Sequence, residues 1–192
     1  MSARPQRATA PVRVPAGASA GGDGIVVGTG PVTVDVYVDF LCPFCKSFER
    51  TSGPALNGMV KDRAISLICH PVGFLDRLST NQYSSRASAA SACASDGGRF
   101  VEYARALFAG QPPEGGPGLT DDELIELGGP AGLTGPAFGE CVRAGAYLDW
   151  TAYVTRKAVE RGVSATPTVL VEGVSVRTDP QAIVAAVAAA AP

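Results

Sequence analysis

At 192 residues the chain is long enough to bury a real core, as one domain or as a domain with an insertion. Its net charge is −2 and its Lys and Arg are scattered, so nothing in the sequence points to nucleic acid as a partner. No stretch is long and apolar enough to cross a membrane, and no secretory signal is recognisable.

Residues 1–24 are rich in Ala, Pro, Gly and Arg and have no apolar periodicity, which predicts a flexible linker or stalk. An anchor or signal upstream of it is expected. Ile25, Val26 and Val27 form a short edge strand, and Gly28-Thr29-Gly30-Pro31 turns the chain into the next element. There Val32, Val34, Val36 and Val38 recur with a period of two, which predicts a strand. The strand runs through Phe40-Leu41 into Cys42-Pro43-Phe44-Cys45. Proline suits the first position of a helix, so Pro43 starts one between the two cysteines, with Phe44, Phe48 and Leu56 on a shared buried side.

A strand that delivers Cys42 to a helix N-terminus has a chemical consequence. The unpaired N–H groups and partial positive charge there stabilise a thiolate. A thiol so placed falls from about 8.5 to roughly 3.5–7.5. Cys45 lies one turn on, on the same face, where a reversible disulfide can form. The expectation is an exposed nucleophile at Cys42 and a shielded resolving thiol at Cys45. A Cys-x-x-Cys pair also suits zinc, but a second pair with ligand spacing is missing.

The first helix should break near Ser52-Gly53-Pro54. A second helical piece over 55–61 leads into a strand over 64–70, where Ile65, Leu67 and Cys69 alternate as a buried face. Cys69 reads as a small core hydrophobe. His70, the single histidine, reads as structural, with a proton-carrying role as the alternative. From 79 to 162 the pattern changes to a block whose only regular elements are helices. An Ala- and Ser-rich helix spans 81–95, and a helix over 99–110 puts Phe100, Tyr103, Leu107 and Phe108 on one side. A Pro/Gly loop covers 111–119. Thr120 and Glu123 then make a capping box, and helices follow over 136–145 and 147–161. Such a block is too long for a plain connection. Cys93 and Cys141 both fall in it and are predicted to form a structural disulfide. Pairing of Cys69 with either one, or three reduced thiols, are the open alternatives.

After Gly162 the chain returns to strand character. Pro167 opens Thr168-Val169-Leu170-Val171, Glu172-Gly173 makes a hairpin turn into Val174-Ser175-Val176, and Thr178-Asp179-Pro180 caps the last helix, 181–190.

The order strand, Asp-x-x-Cys-Pro-Phe-Cys, helix resembles the thioredoxin-fold thiol oxidoreductases of the DsbA-like family. It is most similar to extracytoplasmic, actinobacterial members with an Asp three residues before the first cysteine, as Asp39 stands before Cys42. The segment 162–173, with Ala165-Thr166-Pro167-Thr168, is similar to the one in which a Thr–cis-Pro bond faces the active disulfide. The resemblance implies an α/β fold: a thioredoxin-like domain over 25–78 and 163–192, with an all-helical domain inserted over 79–162 that caps the active site. It implies a protein disulfide oxidoreductase without a cofactor. Cys42 and Cys45 are its redox pair, supported by Pro43, Phe44 and Asp39, and Thr166 and Pro167 bind an extended substrate peptide as an added strand would. The implied substrates are reduced exported proteins. The implied partner is a membrane quinone-linked oxidase of DsbB or vitamin-K-epoxide-reductase type. The implied location is extracytoplasmic, periplasm or cell envelope, and a monomer is the default.

Two departures bear on redox strength. Strongly oxidising relatives carry His where this chain has Phe44, so its thiolate is expected to be less stabilised. Val36 occupies the position, six residues before the first cysteine, where the family often has a buried acid. Asp39 either takes that proton-accepting role toward Cys45 or caps the strand end. The competing readings are a reductase or isomerase, and a peptide-binding module beside Pro167 with structural cysteines.

Overall fold

The valines at alternate positions place β2 (Val32–Val38) at the centre of a five-stranded sheet, because both of its faces are covered. The computed structural model describes residues 10, 11 and 13–192. The sheet order is β1 (Ile25–Val27), β3 (Ile65–Pro71), β2, β4 (Thr168–Val171), β5 (Val174–Val176). β2 and β3 are parallel and need a crossover, which α1 (Pro43–Thr51) and α2 (Gly53–Lys61) supply. The other pairings are antiparallel. Antiparallel register sets Val36 opposite Val169 and Tyr37 opposite Thr168, so the Cys-bearing end of β2 lies beside the start of β4.

The crossover breaks where Gly53 and Pro54 open α2. Buried Ser52 caps the break and donates its hydroxyl to Thr178 O at 2.7 Å. Between β3 and β4 run a 3-10 turn (Asp76–Leu78), α3 (Tyr83–Asp96), α4 (Phe100–Ala109), α5 (Asp121–Glu126), α6 (Pro136–Arg143) and α7 (Leu148–Glu160). α3 is buried on almost every side. Its run of Ala and Ser is thin enough for α4, α6 and α7 all to pack on it. A disulfide joins Cys93 on α3 to Cys141 on α6, with S–S 2.06 Å. The α5 N-terminus is closed by reciprocal bonds between Thr120 and Glu123. α8 (Pro180–Ala190) is capped by Asp179, which accepts from Ala182 N–H at 3.0 Å, and buries Ile183 and Val187.

Two regions differ from expectation. The stretch from Arg13 to Gly24, read as part of a free linker, is bound to the helical block. Ala16 N–H donates to Asp96, Ser95 hydroxyl donates to Ala16 O, and buried Trp150 donates to Gly22 O at 2.7 Å. The Arg13 guanidinium sits 4.6 Å over the Tyr147 ring. Residues 1–9 and 12 of the expected linker lie outside the described residues. On β3 only Ile65 of the expected face is fully buried. Leu67 and Cys69 are half-buried, and Cys69 is a free thiol packed beside the core.

His70 is buried and engaged on both ring nitrogens. Nδ1 contacts Asp23 O at 2.5 Å and Nε2 contacts Asp35 Oδ1 at 2.7 Å, while its ring stacks on Tyr37 at 4.3 Å. These contacts tie the 13–24 stretch to the sheet.

Candidate active site

At the end of β2 the chain stays buried through Asp39, Phe40 and Leu41 and then starts α1. Cys42 is the residue before the helix, in extended conformation, and Pro43 occupies the first turn. Cys42 N–H donates to Asp39 O at 3.0 Å, and Cys42 O accepts from Cys45 N–H at 3.1 Å and Lys46 N–H at 3.2 Å. The chain therefore folds tightly around the two sulfurs.

The thiols are made unequal by their surroundings. Cys42 is lowered to about 6, first by a hydrogen bond from the Cys45 thiol and then by the N–H of Cys45, the Thr166 side chain and the N–H of Phe44; burial opposes this and loses. Cys45 is fully buried, and burial pushes its thiol far up. Its Sγ accepts from Asp39 N–H at 3.5 Å. One sulfur is thus an anion near neutral pH and the other keeps its proton, the asymmetry that disulfide exchange needs.

Two expectations are corrected. Cys42 is not an exposed thiol, for only 4% of the residue is accessible. In the thiol form its S–H donates to Thr166 O at 3.5 Å, and the side chain of Gln111 lies against its carbonyl. Phe44 is not on the buried side with Phe48 and Leu56: it is 73% exposed, while those two are buried. Phe44 stands instead on the rim of an open groove that it lines with Ser47, Thr166, Pro167 and Pro180. The Thr166–Pro167 peptide bond is cis. Thr166, whose carbonyl contacts the Cys42 sulfur, is one of the residues that line this groove.

Asp39 is fully buried and its carboxylate is saturated by donors: Leu41 N–H at 2.9 Å, Leu75 N–H at 2.9 Å and Ser84 hydroxyl at 2.7 Å. Burial outweighs these bonds and raises the carboxyl to about 6. The group that reaches Cys45 is the Asp39 N–H, and the carboxylate faces the helical block.

Sequence reading missed Ser84 and Gln111. Ser84 is one of several serines in α3 and carries no local signal. Gln111 opens a Pro/Gly loop, where a polar residue is unremarkable, yet its amide donates to Phe40 O at 2.9 Å and Cys42 O at 3.0 Å. His70 and the Cys93–Cys141 disulfide make none of these contacts.

A Thioredoxin family model matches residues 22–188. The reduced disulfide bond oxidoreductase DsbG of Mycobacterium tuberculosis is 36% identical, with 86% of each chain covered and a TM-score of 0.76. Oxidised DsbA of the same organism is 35% identical over 86% of this chain and 91% of that one, also at 0.76. A third similarity is to the serine/threonine-protein kinase PknE of M. tuberculosis, 34% identical over 135 residues. That match takes in 66% of this chain and 24% of the kinase, so the chain spans about a quarter of the curated relatives it matches. The chain belongs to the thioredoxin family, as a DsbA-like thiol–disulfide oxidoreductase.

Proposed function

We propose that the protein introduces disulfides into exported proteins through Cys42 and Cys45. The observation that carries this reading is the inequality of the two thiols: Cys42 lowered to about 6 and in contact with Thr166 of the groove, Cys45 fully buried and its thiol pushed far up. A substrate thiolate attacks Sγ of Cys42 in the Cys42–Cys45 disulfide. A mixed disulfide forms and the Cys45 thiolate leaves and takes up a proton. The substrate's second thiolate then attacks its own sulfur in that bond and expels the Cys42 thiolate. The substrate loses two electrons and the Cys pair gains them. A stabilised thiolate is a good leaving group and favours the reduced pair, so the net direction is oxidation of the substrate.

The other residues have positional roles in this scheme. Pro43 fixes the start of α1 so that N–H groups face the sulfur. Thr166 and Pro167 hold an extended substrate by backbone pairing, and Phe44 offers it an exposed apolar surface. Asp39 fixes the end of β2 against Leu75 and Ser84, and that saturation favours the strand-end role over proton transfer to Cys45. An extracytoplasmic location is supported by the Cys93–Cys141 bond, which suits an oxidising compartment. Reoxidation falls to a membrane oxidase of DsbB or vitamin-K-epoxide-reductase type.

A Cys45→Ser variant tests the scheme. Charged at Cys42 as a mixed disulfide with glutathione, it should pass that bond to reduced unfolded proteins, with glutathione as the leaving thiolate, and accumulate as Cys42–substrate mixed disulfides, while Cys42→Ser treated in the same way accumulates none. Equal trapping by both variants would end the proposal.

A further inference from the structure

The loop that follows α4 sends one polar side chain into the redox turn. Gln111 is half-buried, and its own N–H donates to Phe108 O at 3.4 Å, so its backbone is fixed to the end of α4. Its side-chain amide spans the carbonyls of Phe40 and Cys42 at 2.9 and 3.0 Å. Both partners are acceptors only, so it must be the NH2 group that faces them. One carbonyl lies on the strand side of the turn and the other at the head of α1.

Cys42 has no side-chain cap, and Pro43 supplies no N–H to steady the turn. The peptide plane that follows Cys42 is held from within by the N–H groups of Cys45 and Lys46, and from outside by Gln111. A rotation of that plane turns Sγ away from the N–H groups of Phe44 and Cys45. Gln111 belongs to the inserted helical block, so the block sets the geometry of the reactive sulfur.

We propose that Gln111 is a positioning residue for the Cys42 thiolate, acting through the carbonyls of Phe40 and Cys42. The inference rests on the reading of Cys42 as the nucleophile. The test is a pH titration of the thiolate by its ultraviolet absorbance in the reduced full chain. It compares wild type with Gln111→Met, which keeps length and removes both donors, and with Gln111→Glu, whose carboxylate would confront two carbonyls. Each variant should move the thiolate midpoint upward, with the thiolate fraction near pH 6 reduced roughly threefold to tenfold, the ratio one or two lost hydrogen bonds would give. Denaturant unfolding run beside it separates a structural role, which lowers stability and leaves the midpoint in place. Should Gln111→Met fail to fold, Gln111→Glu carries the comparison. A low wild-type midpoint with unshifted folded variants overturns this inference alone. An ordinary wild-type midpoint overturns the functional reading and the inference with it.

Discussion

The Ser84 hydroxyl donates to Asp39 Oδ1 at 2.7 Å, so the residue that follows the central strand is bonded to the first turn of α3. Leu75 N–H at 2.9 Å adds a second bond from the same side. The carboxylate is the joint between sheet and inserted helices, and the N–H of the same residue reaches the Cys45 sulfur at 3.5 Å.

Removing that joint should be costly. Asp39→Ala leaves the N–H groups of Leu41 and Leu75 buried without an acceptor, at about 2–4 kcal/mol, read as a drop in the denaturation midpoint. The pH dependence runs opposite to that of an ordinary paired Asp. Its folded value, about 6, lies above the ordinary carboxyl value of 3.8, so the folded state binds the proton more tightly. Its contribution is full below the lower value and is lost as pH rises through the upper one. Wild type should lose stability across that window, and Asp39→Asn should lose that slope in denaturant midpoints taken at several pH values.

Phe44 is exposed at the rim of the groove and its N–H is one of the donors to the Cys42 sulfur. Phe44→His keeps an aromatic ring and adds a cation below its own pKa. The Cys42 thiolate should gain stability and the pair become more oxidising, by about 30 mV for each tenfold change in the exchange constant. Equilibration with a glutathione buffer measures it.

The disulfide between Cys93 and Cys141 closes a loop across a sequence separation of 48. In the chain-entropy model such a crosslink is worth about 4 kcal/mol. Cys93→Ser with Cys141→Ser should lower the denaturation midpoint accordingly. The Cys42 thiolate midpoint should stay in place, since no contact described at the redox pair passes through either residue.

The legible parts of the molecule were those in which neighbours along the chain decide the outcome. Val32, Val34, Val36 and Val38 alternate because β2 has two faces, and Thr120 with Glu123 close a helix within four residues. Pro43 between two cysteines fixes strand, turn and helix in one short run. What covers Cys42 was not legible, because its partners come from afar: Thr166 is 124 residues away and Gln111 is 69. Docking of the 13–24 stretch was hidden for the same reason, as Trp150 reaches Gly22 across 128 residues and that stretch offers no apolar period of its own. Helical spacing aligns Phe44 with Phe48, but in the first turn of α1 it is Cys45 that is buried, and Phe44 is left on the groove.

At pH below the folded value of Cys42 the reduced protein gains nothing from its thiolate. That contribution appears as pH rises through about 6 and is complete only above the ordinary thiol value of about 8.5, since a lowered folded pKa stabilises the deprotonated side. The stability gap between reduced and oxidised protein should therefore widen in favour of the reduced form over that range, as paired denaturant titrations would read.

The account turns on how readily the sulfur at 42 gives up its proton. Titration of the thiolate in the reduced wild-type protein should find a midpoint near 6, with no second thiolate from Cys45 below the alkaline range. A midpoint at the ordinary thiol value of about 8.5 would contradict it.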